Sequence, residues 1–301
     1  MAIAEAAGAA RGSPREAWVR SGELNLRLVE WGSPQAPAIL MLHGLRSYAY
    51  TWEPVALPLL PNWRVIALDQ RGRGRSDWDP AGDYHTDAYV RDLEAVVDNL
   101  SLQRFVLLGH SMGGANALVY ASRHSNRLAA LVVEDAGPGA SASSNGSDRI
   151  KRELRETPPS FANWHDAAEF WRKVRPNISA AALQSRVTHS LKQDHDGRLI
   201  WCHDAAGIAA ARLNTTPGQH VDLWPHVEAL NMPTLLIRGA GSDYLSAATA
   251  KDMCRRNPCI RLAEVAAATH YVHDDNLFDF NGVLQRFLTE VRDLDGRISR
   301  S

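Results

Sequence analysis

The sequence predicts a doubly wound, mostly parallel α/β sheet interrupted by an inserted helical segment. Three observations predict it: compact apolar runs alternate with amphipathic stretches, that rhythm breaks for about a hundred residues after Val133, and a glycine-framed serine marks where one run passes into a helix. The first β-rich runs, Ala17 to Arg20 and Leu26 to Trp31, read as a hairpin across Ser21 to Leu24. Ala38 to Leu42, Val65 to Leu68, Phe105 to Leu108, Leu128 to Val133 and Thr234 to Ile237 are then continuous apolar runs, as strands covered on both faces require. Between them the clearest helix is Thr86 to Leu100. Thr86 is a candidate N-cap, and Tyr89, Leu93, Val96, Val97 and Leu100 share one face.

The long gap is expected to hold a helical cap, Gly137 to Asn231, entered through a flexible Ser141 to Ser147. Trp164, Ala167, Ala168, Trp171 and Val174 form an apolar stripe within it. The segment holds four of the nine tryptophans and six of the twelve histidines, a natural lining for a binding cavity, although cap-to-core packing accounts for any one tryptophan as well. The core is then residues 16–136 and 232–296, with residues 1–15 a flexible tail.

Bulk properties narrow the function. The 301 residues, 45% hydrophobic and 22% charged, suit a soluble globular domain with an insertion. A net charge of -1 provides no field to gather nucleic acid or an anionic membrane, so the expected partner is a small-molecule substrate met by a monomer or homodimer. No window nears the ~18 apolar residues of a membrane span. Glu5 and Arg11 make the Ala-rich start a poor secretory signal. Cys202, Cys254 and Cys259 lack metal-ligand spacing, which points to reduced thiols, no metal and a cytoplasmic location.

The chemistry is carried by Gly109-His110-Ser111-Met112-Gly113-Gly114, a G-x-S-x-G run between the strand Phe105 to Leu108 and the apolar helix Ala115 to Ser122. A serine there is lifted on a sharp turn, and only flanking glycines let strand and helix approach closely enough. The following helix N-terminus adds partial positive charge where an oxyanion would develop.

On these residues the chain resembles the α/β-hydrolase superfamily, whose fold is an eight-stranded, mostly parallel sheet. The resemblance spans nearly the whole length apart from the tail and the cap. His43-Gly44 resembles the family's HG turn, which implies an oxyanion hole from the N–H groups of Leu45 and Met112, with His43 supporting the loop. Asp69 to Ser76 (DQRGRGRS) resembles the superfamily's D-x-R-G-x-G-x-S turn, and no lysine-bearing phosphate loop accompanies it. His270, after a strand at Arg261 to Val265 and before a helix at Leu277 to Val291, lies where the family keeps its general base. Thr269 departs from the usual preceding glycine, and His273 is a rival three residues on.

Two acids keep the order Ser, Asp, His: Asp135 after the strand ending at Val133, and Asp243 after Thr234 to Ile237. Many relatives use the second place. A subgroup with an R-G-x-x-S turn, matched here by Arg238 to Ser242, has its acid 24 residues after the nucleophile, which is Asp135. The resemblance therefore implies a triad of Ser111, His270 and Asp135, with Asp243 the alternative acid. It also implies a hydrolase of small to medium carboxylic esters, amides or thioesters, needing no cofactor.

The turns are similar to those of capped esterases and of enamide or C–C bond hydrolases. Cleavage of vinylogous diketones, cofactor-free peroxidation and a ligand receptor on a hydrolase scaffold are the alternatives. A dicarboxylate substrate would need arginines facing the pocket. The cap's Arg149, Arg152, Arg155, Arg172 and Arg175 are nearly balanced by acids and are expected on solvated helix faces.

Overall fold

The computed structural model describes residues 12–214 and 221–298. Most of the expected tail therefore lies outside the described residues. The hairpin forms from β1 (Arg15–Ser21) and β2 (Leu24–Trp31), both longer than expected because Arg15 and Leu24 complete the antiparallel register. β3 (Ala38–Leu42) and β4 (Arg64–Leu68) follow, then α1 (Thr86–Asn99). The N-cap of α1 is His85 rather than Thr86, without a side-chain capping bond. β5 (Phe105–His110) runs into α2 (Met112–Arg123), and β6 (Leu128–Glu134) closes this half.

The inserted segment is helical where a flexible opening was expected. A short turn at Ala140–Ser143 leads to α3 (Asn145–Glu156), because the Ser144 hydroxyl accepts from the Ser147 N–H and caps the helix. A three-stranded sheet of β7 (Ser160–Phe161), β8 (Leu191–Gln193) and β9 (Leu199–Trp201) joins α4 (Trp164–Val174), α5 (Ala180–Ser190) and α6 (Ala205–Leu213). Trp171 and Trp201 pack with Phe161, Leu183 and Leu199 into a small core of the insertion's own, and Trp171 also meets the Arg46 guanidinium of the main domain. Trp164, by contrast, is exposed.

The chain returns to the main sheet through β10 (Thr234–Gly239), α7 (Ala247–Arg256), β11 (Ile260–Val265) and α8 (Leu277–Ile298). The eight strands lie in the order β1-β2-β4-β3-β5-β6-β10-β11, parallel except for the pairings of β2. Two apolar clusters cover its faces, one with α1 and α2 and one with α8. Strand order reverses between β3 and β5. Chain segments leaving their carboxyl ends diverge there and open a crevice.

Candidate active site

Ser111 leaves β5 at that crevice with φ 53° and ψ -116°, a left-handed conformation that a non-glycine residue holds only when its surroundings enforce it. The enforcement is close packing of strand on helix: a Cβ at Gly109 would meet the Gly113 carbonyl oxygen at 2.3 Å, and one at Gly113 would meet that of Leu42 at 2.4 Å. The Ser111 hydroxyl is 2.9 Å from His270 Nε2, and His270 Nδ1 is 2.8 Å from Asp135 Oδ2. Asp135 also accepts from the Ser242 hydroxyl at 2.6 Å and the Gly239 N–H at 3.3 Å. The structure thus brings Ser111, His270 and Asp135 into one relay.

The rivals are bonded to other partners. Asp243 makes two bonds to Arg149, at 2.8 and 3.0 Å, and that cation holds its carboxyl below the usual range against the opposing effect of burial. His273 is bound through its N–H and Nδ1 to Glu134, at 3.0 and 2.8 Å. In place of the usual glycine, Thr269 donates its N–H to Asp275, while the positive φ of this loop falls on Ala267. His43 donates from Nδ1 to the Gly44 carbonyl and accepts the Gln70 N–H at Nε2, so its ring is fixed in the loop, and burial lowers its pKa to about 3.

Burial, followed by the charges of Arg149 and Arg175, holds the His270 imidazole well below its ordinary value. It is therefore neutral near pH 7, with Nε2 free to take a proton. Burial pushes Asp135 up, and the donors on its two oxygens favour the carboxylate. Among the described residues neither the Leu45 nor the Met112 amide is spent on another backbone carbonyl, and both residues line space beside Ser111.

One arm of the crevice is walled by Arg46, Arg175, Arg186 and Tyr271. Arg175 overturns the expectation of a solvated helix face: it is largely shielded, stacks on Tyr271, and burial lowers its pKa to about 10. Arg186 pairs with Asp274, and Arg46 pairs with Glu153. Nε of Arg175, and Nε and Nη1 of Arg186, are buried without hydrogen-bond partners among the described residues. Arg46, Arg186 and the pocket-lining Tyr244, whose ring packs 4.3 Å from that of His270, carry no motif and were not identified from sequence. Of these, the HG turn gave a positional signal for Arg46 alone.

Comparison with known proteins agrees with the fold. A 2-(acetamidomethylene)succinate hydrolase of Mesorhizobium japonicum is 28% identical over 84% of this chain and 87% of its own. The crystal structure of an E-2-(acetamidomethylene)succinate hydrolase superposes with a TM-score of 0.83 at 25% identity, covering 92% of this chain and 100% of that one. An α/β hydrolase from Novosphingobium aromaticivorans superposes with a TM-score of 0.79 at 30% identity, covering 94% and 99%. The sequence profile of the α/β-hydrolase fold matches residues 37–277, and the chain belongs to the α/β-hydrolase family of enzymes.

Proposed function

We propose that this hydrolase cleaves a small carboxylate-bearing amide or ester by acyl transfer, with Ser111 as nucleophile, His270 as base and Asp135 as acid. The observation that carries the reading is the Ser111–His270–Asp135 relay opening onto an arm walled by Arg175 and Arg186. Ser111 Oγ bonds to the carbonyl carbon and passes its proton to His270 Nε2, which returns it to the leaving nitrogen or oxygen. Asp135 fixes the tautomer with Nδ1 protonated and stabilises the imidazolium. Water then repeats the sequence and releases the acid.

The acidic preference is supported by charge. Arg175 lies 3.9 Å from Asp274, which Arg186 already engages closely, so a guanidinium is left under-neutralised in a shielded wall. A substrate carboxylate supplies the missing anion, and the succinate named in the relative's substrate has the same chemistry. The insertion, residues 137–231, acts as a cap that shapes this arm and excludes water.

Two measurements test the reading. A fluorophosphonate probe should label Ser111. The ratio of kcat/KM for the mono-p-nitrophenyl ester of succinate over p-nitrophenyl acetate should be high, and Arg175→Met should lower it by roughly 30-fold or more, the scale of a charge-assisted bond. A ratio near one in the wild type sinks the acidic preference, and an unlabelled Ser111 sinks the mechanism.

A further inference from the structure

The Asp69-to-Ser76 turn carries three arginines, and two are neutralised: Arg71 grips Asp92 at 2.6 and 2.8 Å, and Arg75 reaches Glu16 at 3.2 Å. Arg73 is different. The other four buried arginines of the described chain, Arg27, Arg71, Arg186 and Arg238, each face a carboxylate, from Asp69, Asp92, Asp274 and Glu264. Arg73 is completely inaccessible and has none. Its Nη1 donates to the Arg71 carbonyl at 2.8 Å and to the Tyr89 hydroxyl, and the rings of Tyr84 and Tyr89 lie 5.4 and 5.2 Å from the guanidinium carbon. Tyr84, Tyr89, Met112 and Ile208 form a small apolar cluster of their own.

An unneutralised buried cation is costly, so a fold without a use for it is better served by a methionine or a leucine. The remaining contacts show the use. Nε donates to the Leu45 carbonyl at 3.1 Å, and Nη2 contacts Met112 Sδ at 3.5 Å. Leu45 and Met112 flank Ser111 and hold the two uncommitted amides. One guanidinium thus ties together the two residues of the candidate oxyanion hole, Leu45 in the loop after β3 and Met112 at the start of α2.

We propose that Arg73 is the positioning residue of the oxyanion hole, holding the Leu45 carbonyl and the Met112 side chain relative to each other and supplying an uncompensated positive charge to the developing oxyanion. As Ser111 Oγ bonds to the carbonyl carbon, the π pair moves onto the carbonyl oxygen and the serine proton moves to His270. The charge of Arg73 is felt most in that state, since no acid among the described residues pairs with it and the surroundings are dry. Tyr89 braces the fork from α1. The D-x-R-G-x-G-x-S turn thereby acquires a catalytic purpose at its second x position.

The inference rests on the acyl-transfer reading, and its test uses p-nitrophenyl ester turnover together with phenylboronic acid, which forms an anionic tetrahedral adduct on a nucleophilic serine. For Arg73→Gln, kcat should fall about 100-fold with KM changed less than threefold, the scale of losing one oxyanion donor. Boronate affinity should fall in parallel, while affinity for the product carboxylate is kept. Arg73→Lys, which keeps charge but not the fork, should recover part of both losses. Unchanged kcat and boronate affinity in either folded variant, or product affinity lost as steeply as boronate affinity, overturns the proposal. Should neither variant fold, Tyr89→Phe removes the brace on Nη1 and should lower kcat and boronate affinity together by two- to fivefold; no change there overturns it too. If instead Ser111 is not the nucleophile, wild-type protein takes up neither fluorophosphonate nor boronate, and both readings fall together.

Discussion

Replacing Asp135 by Asn and, separately, Asp243 by Asn distinguishes the two acids on which the mechanism turns. Both Asp135 oxygens are committed as acceptors: Oδ1 to the Gly239 N–H, Oδ2 to the Ser242 hydroxyl and His270 Nδ1. An amide has one oxygen. If that oxygen stays toward Gly239, the NH2 group faces His270 and donates to Nδ1, which moves the ring proton to Nε2 and leaves Ser111 without a base. The reversed rotamer sets NH2 against the Gly239 N–H. The expected loss is on the order of ten-thousand-fold in kcat, about 5.4 kcal/mol of barrier. Asp243→Asn weakens a partly buried pair with Arg149, worth about 1 kcal/mol, and should cost tenfold or less. The assay is ester turnover at matched folding, checked by thermal midpoint, because Asp135 is buried at a strand end. A dead Asp243→Asn beside an active Asp135→Asn refutes the reasoning.

Three further outcomes are expected. Ser111→Ala should lose on the order of a million-fold in turnover with its thermal midpoint preserved, and substantial esterase activity in clean protein would exclude Ser111 as nucleophile. Gly113→Ala should destabilise by about 3 kcal/mol, since its Cβ would meet the Leu42 and His43 carbonyl oxygens at 2.4 and 2.8 Å, and a urea midpoint equal to the wild type would contradict the packing described. Burial lowers His43, His110 and His203 to about 3, so they stay neutral in the fold where the unfolded chain takes up protons below its ordinary value of about 6.5. Stability must therefore fall on acidification through that window, by up to about 4 kcal/mol between pH 7.5 and 5.5 for the three, offset in part by His273, which is raised beside Glu134. Urea unfolding that is flat across the range would refute it.

The sheet was legible because its strands are covered on both faces, and continuous apolar runs such as Ala38 to Leu42 have few other uses. Ser111 was legible because steric demands at Gly109 and Gly113 leave a local signature. His270 and Asp135 were found by position relative to strands, and choosing Asp135 over Asp243 needed the resemblance to a subgroup, since nothing local in the sequence distinguishes a carboxylate facing imidazole from one facing guanidinium. Two readings failed for physical reasons. Ser141 to Ser147 looked flexible from its composition, yet Ser144 spends its hydroxyl on a helix cap. The near balance of acids and arginines along the insertion points to a solvated Arg175, whereas what shields it is Tyr271, nearly a hundred residues away. The acid-free environment of Arg73 is likewise a property of three-dimensional neighbours and has no one-dimensional trace.

With the imidazole partnered from β6, the loop after β10 is relieved of that duty and is used differently. Its Asp243 holds Arg149 on α3 through the side chain and the Gly146 N–H through the backbone carbonyl at 2.8 Å. The loop works as a latch between the insertion and the sheet. The same short loop therefore serves both sides: Asp243 faces the insertion and can be recharged to alter how readily the crevice opens, whereas Ser242 and Tyr244 stay tied to Asp135 and His270.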